Sequence, residues 1–150
     1  MAVSRDLAAA LAAVLESAGL GLVRPPAPGA NLFTSPMPEA GGRVPDRAVA
    51  LVVTGGVAPV RYLGAGRAAY LSPGCQVRVR SAREDFQGGQ FLALAVFDVF
   101  LRSPRVPNVM VHVEESAPVY LGADGTDRHR WGLNLNVGYA LSLWWRPDIV

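Results

Sequence analysis

"WGLNLNVGYALSL", Trp131 to Leu143, is apolar at every odd position: Trp131, Leu133, Leu135, Val137, Tyr139, Leu141 and Leu143. Between them stand Gly132, Asn134, Asn136, Gly138, Ala140 and Ser142, none of them charged. A strict period of two belongs to a β-strand, whose successive side chains leave on opposite faces; a helix would repeat every three or four residues. Fully extended, the stretch spans about 43 Å, well beyond the usual ~17–20 Å. Its apolar side must cover a core. Its other side lacks the charges and threonines of a solvated face, and small neutral residues there predict that other atoms approach the backbone closely.

Upstream, "YLGADGTDRHRW" (Tyr120 to Trp131) reads as a hairpin connection, with Asp124-Gly125 supplying the positive backbone angles of a tight turn. "VMVHVEE" (Val109 to Glu115) and "CQVRVRS" (Cys75 to Ser81) alternate in the same way and predict two more strands. "AVALVVT" (Ala48 to Thr54) is a continuous apolar run, which suits a strand buried on both faces. Residues 55–74 are rich in Gly and Pro and predict a projecting loop or irregular hairpin. Downstream, "WWRPDIV" is more apolar than a solvated terminus usually is.

Two helices complete the pattern. Ser4 can cap the first, Leu7, Leu11, Val14, Leu15 and Ala18 form its stripe, and Gly19 and Gly21 stop it. Ser81 and Glu84 have the spacing of a capping box for the second, which ends near Arg102. Phe86, Ala93, Phe97 and Phe100 make its inner stripe, while Phe91, Ala95 and Val99 lie off it. A helix apolar nearly all round is buried on more than one side, and in so short a chain the second cover is expected from another copy. Residues 24–46 carry six prolines in 23 residues, which excludes a helix; Leu32, Phe33 and Met37 within them predict an extended arm that docks.

The expected fold is α+β, one domain over 1–150: a mostly antiparallel sheet of four to five strands, two helices on one face, and the 55–74 projection. The opposite face would collect Gln76, Arg78, Arg80, His112, Glu114, Asn134 and Asn136. All fourteen basic residues are arginine, and the net charge of +2 is too small to argue for nucleic-acid binding. A single cysteine, Cys75, excludes an internal disulfide and fits a protein made in the cytosol. The Ala-rich stretch after Arg5 and Asp6 reads as an amphipathic helix rather than a signal peptide, and the apolar run Phe91 to Phe97 is too short to span a membrane.

Chemistry-bearing motifs are weak. "GAGRAA" (Gly64 to Ala69) matches G-x-G-x-x-A but precedes Pro73 rather than opening a helix. Asp124, Asp127 and His129 sit in one loop and read as a solvated turn before a metal site. His112 reads as a polar-face residue, and Cys75 has no partner spaced to activate it. No catalytic, cofactor or metal site is expected.

In their order, the "MP…PD…TGG" passage (Met37, Pro38, Pro45, Asp46, Thr54, Gly55, Gly56), "QVRVRS" (Gln76 to Ser81) and "PVYLGADGTDRHRW…N…Y" resemble the minor capsid or tail-terminator (tail-completion) proteins of long-tailed bacteriophages. The resemblance runs from about Leu11 to Tyr139. It implies a structural virion protein of the tail or neck, assembled in the host cytoplasm, and no enzyme. Its copies would form a ring, hexameric in the family, that ends tail-tube polymerisation and meets the head–tail connector. The genome would pass through the lumen without sequence-specific contacts, and no membrane is involved. Loop 57–74 and Trp144-Trp145 depart from the family pattern.

On that reading the candidate contacts with a neighbouring copy or the tube are Arg61, Tyr62 and Tyr70 from the projection, and Arg78, Arg80, Glu114, Asn134 and Asn136 from the polar face. Phe91 and Val99 join them from the helix, and Trp144 and Trp145 from the tail. Two other classes stand beside it. One is a small ligand-binding or regulatory α+β domain whose 55–74 loop closes a pocket; the other is a hydrolase using His112 or His129.

Overall fold

The computed structural model describes residues 6–39, 44–61, 68–102 and 106–142. Along the chain run α1 (Leu7–Glu16), β1 (Leu32–Phe33), β2 (Ala48–Arg61), β3 (Ala68–Ser81), α2 (Phe86–Leu101), β4 (Met110–Val113), β5 (Val119–Ala123) and β6 (His129–Ser142). The fold is α+β, with six strands rather than four to five. The sheet order is β1-β2-β3-β6-β4, and β5 also pairs with β6. Only β1 is parallel to its neighbour; the other pairings are antiparallel.

The alternating stretch explains the length of β6. Its first part pairs with β5, its middle with β4, and nearly all of it with β3. Register places Val49, Val79 and Trp131 in one row across three strands and Leu51, Val77 and Leu133 in the next. These rows, with Leu135 and Val137, form the floor of the core. Both helices lie on this face, α1 against β2 and α2 across β3, β4 and β6. Leu11, Leu15, Leu92, Val96 and Phe100 are buried there. Burial of side chains this size stabilises by about 1.5–3 kcal/mol each.

Several expectations are corrected. Helix α1 is capped by Asp6, whose carboxylate accepts from the Ala9 N–H at 3.2 Å; Ser4 lies outside the described residues, and Ala18 is exposed in the turn. Gly19 and Gly21, both at positive φ, do end it. Ser81 caps nothing: it pairs with His129 as the last residue of β3, and Asp85 caps α2 instead, accepting from the Gly88 N–H at 3.0 Å. The inner face of α2 is Gly89, Leu92, Ala93, Val96 and Phe100, and Phe86 is at the surface. Strand β2 is buried on both faces only through Leu51. In the β5–β6 connection the positive φ falls on Asp127, not Gly125.

The 55–74 projection is a hairpin, with β2 and β3 paired out to Arg61 and Ala69 and its tip (62–67) outside the described residues. Two register shifts interrupt it, between Thr54 and Val57 and between Val57 and Val60. Each shift lets two residues of β2 oppose one of β3, so Pro59 and Pro73 sit where ladder bonding is already broken. At the first, Gly56 takes φ +69°, and a Cβ there would lie 2.7 Å from the Pro73 Cα. A positive φ against packed backbone admits only glycine.

Candidate interaction surface

The Pro-rich arm docks as expected, and it docks on the chain's own sheet. Arg80, 3 % exposed, donates from Nε to the Asp46 carbonyl (2.8 Å), from Nη2 to the Pro45 carbonyl (2.9 Å) and from Nη1 to the Pro38 carbonyl. Arg80, expected to contact a neighbour, gives three of its five N–H groups to main-chain oxygens that proline-rich extended backbone cannot satisfy within itself. Beside it Arg128, also buried, bridges Glu39 (3.4 Å), Asp46 (3.6 Å) and Asp124 (3.1 Å). Sequence reading missed Arg128, since nothing local marks a hairpin arginine as the tie to an arm some eighty residues away.

Small residues on the second face of β6 are approached closely, but by the same chain. A Cβ on Gly138 would lie 2.8 Å from the Tyr70 ring, and one on Gly132 would lie 3.1 Å from Leu121 and against the Arg78 guanidinium. Asn134 is held by Glu115, whose carboxylate accepts from its side-chain amide at 2.6 Å and from its N–H at 3.1 Å. Tyr70, Arg78 and Asn134 therefore cover their own sheet before they can meet a partner. Asn136 and Glu114 are exposed.

Apolar side chains do reach solvent elsewhere. Phe91 is 67 % exposed on the outer face of α2, with Leu94 and Leu101 also exposed, whereas Val99 is half-buried against the core. Val53, Val57 (68 %) and Val60 are exposed along β2, and Arg61 ends that strand in the open. Met110 of β4 and Val119, Tyr120 and Leu121 of β5 are exposed as well. Tyr62, Trp144 and Trp145 lie outside the described residues, as does most of "GAGRAA".

The groups considered for chemistry are committed to structure. His129 accepts from or donates to the Tyr120 hydroxyl through Nδ1 at 2.8 Å and meets the Arg83 carbonyl through Nε2 at 2.9 Å. A carbonyl only accepts, so Nε2 carries the proton and, in the neutral ring, Nδ1 accepts from Tyr120. Phe86, Tyr120, His129 and Trp131 pack with ring centroids 5.2–6.2 Å apart, pinning the start of α2 to the β5–β6 hairpin. His112 is exposed on β4. Among the described residues no group of three or more His, Cys, Asp or Glu is placed to hold a metal ion, and no helix is long and apolar enough to cross a membrane.

Asp124 accepts from the Thr126 N–H (2.8 Å), the Thr126 hydroxyl (2.9 Å) and the Arg128 N–H (3.0 Å). Burial opposes its ionisation, yet these bonds and the Arg128 charge outweigh it and bring the carboxyl from 3.8 down to about 2. A depressed carboxyl stabilises the fold above its unfolded value and loses that contribution as pH falls through the folded value. Urea midpoints at pH 6 should therefore be lower for Asp124→Asn than for the wild type, and the gap should close between about pH 4 and pH 2. A gap that stays constant over this range would show that the carboxylate charge is not what holds the turn.

Cys75 lies in the core with its thiol pushed up by burial, against a weaker backbone hydrogen bond, to about 12. The thiolate is the reactive form, so native protein at pH 8 should resist a disulfide reagent and react fully once unfolded in urea. Stoichiometric labelling within minutes in native buffer would contradict this burial.

No protein-family model matches the chain, and no curated protein matches it in sequence.

Proposed function

We propose that this protein is a structural subunit of a phage tail, forming a ring of copies at the head-proximal end that ends tube growth and meets the head–tail connector. The observation that carries the reading is the set of exposed apolar side chains on two unrelated faces: Phe91, Leu94 and Leu101 on α2, and Val53, Val57 and Val60 on the hairpin. A ring is built from heterologous contacts, in which one patch of each copy meets a different patch of the next. Apolar side chains clustered in the open mark surfaces that another protein covers. The sequence resemblance supports the reading of this assembly as a tail ring.

Light scattering and negative-stain images, taken with and without a phage tail-tube protein, test this. Rings on tube ends are expected, and Phe91→Asp should abolish them while leaving the fold intact. A wild-type protein that stays monomeric in both samples and binds no tube would end the proposal.

A further inference from the structure

Between the arm and the second face of the sheet lies a half-enclosed cleft of about 360 Å³. Its walls are Pro36 and Met37 from the arm, Ala50 and Val52 from β2, and Leu121 from β5. Its polar atoms come from Gln76, Arg78, Arg80 and Arg130. The three arginines differ in what they have left to offer. Arg80 is spent on arm carbonyls. Arg78 reaches only the Gln76 amide oxygen, at 3.3 Å, and Arg130 only the Leu121 and Ala123 carbonyls, each at 3.4 Å. The nearby carboxylates, Glu39, Asp46 and Asp124, are all drawn to Arg128. Among the described residues, then, two guanidinium groups face an apolar cleft with no carboxylate of their own.

We propose that this cleft binds a carboxylate carried on a short aliphatic stem, the carboxylate on Arg78 and Arg130 and the stem against Val52, Met37 and Leu121. A guanidinium fork pairs with a carboxylate through two parallel charge-assisted bonds, and the partial enclosure strengthens them. The volume lies at the lower end of small-ligand sites, which suits one acid group and a few methylenes. Gly132 leaves room for the Arg78 side chain, whose guanidinium a Cβ there would meet. On one side the cleft is bounded by Pro36 and Met37 of the arm. This inference is independent of the ring assembly.

Calorimetric titration of the full chain with octanoate tests it, beside inorganic phosphate, octanol, and a capped pentapeptide with one glutamate between valines. Octanoate or the peptide should bind one to one, at least about tenfold tighter than phosphate or octanol. Tighter octanoate binding identifies a free aliphatic acid as the ligand, and tighter peptide binding an acidic side chain of a protein partner; both support the carboxylate site. Arg78→Gln and Arg130→Gln should each weaken binding about tenfold. Leu121→Glu, at an exposed position, should do the same and covers the case in which an arginine variant fails to fold. No saturable binding of either acid, phosphate or octanol binding as tightly, or folded variants that bind like the wild type would overturn it.

Discussion

Replacing Arg80 by methionine is expected to destabilise the protein by about 3 kcal/mol and to release the Pro-rich arm. The side chain is almost fully buried, and its three donors satisfy the carbonyls of Pro38, Pro45 and Asp46. Methionine fills much of the same volume but leaves three main-chain oxygens without a partner, and each can recover one only by lifting the arm into water. The urea midpoint should fall, and a protease should cut within residues 24–46 far faster than in the wild type. Arg80→Lys should lie between, since a single ammonium cannot span three oxygens as the planar fork does. An unchanged midpoint with a protected arm would mean that the arm is held by Arg128 and by packing alone.

The second large effect belongs to Gly89. Gly89 packs against the sheet, where a Cβ would sit 2.5 Å from both the Ser81 Cβ and the Trp131 ring. Alanine gains about 1 kcal/mol of helix propensity, which offsets part of the clash. Valine adds two methyl groups in the same space, so Gly89→Val is expected to cost about 3 kcal/mol by forcing helix and sheet apart. Thermal melts of both variants, with Gly125→Ala as a control in open space, measure it. The neighbouring Ser81 hydroxyl is buried with no hydrogen-bond partner among the described residues. Ser81→Ala should therefore stabilise by about 1 kcal/mol, the opposite sign at the same contact. A valine variant as stable as the wild type would show that α2 sits farther from the sheet.

The contrast between Arg78 and Arg80 shows where sequence reading stops. Both occupy the polar phase of an alternating strand, and pattern alone gives them the same solvated face. Arg80 is buried because carbonyls 34 to 42 residues away need donors, whereas Arg78 stays partly exposed beside a glycine on the adjacent strand. The capping box at Ser81 and Glu84 is a local match overridden by a long-range one, the pairing of Ser81 with His129. Strand β5 was hidden inside the hairpin connection, where the irregular pairing around Gly122 breaks the alternation.

The sequence by itself determined the two helices, the stops at Gly19 and Gly21, the phase of β3, β4 and β6, and the docking of the arm through its apolar residues. These follow from periodicity and backbone freedom, which act over a few residues. Tertiary structure alone decided what covers the second face, which arginines are spent and which remain open, and where apolar side chains stay in water. Those outcomes depend on groups brought together from distant parts of the chain, whose pairing no local pattern encodes.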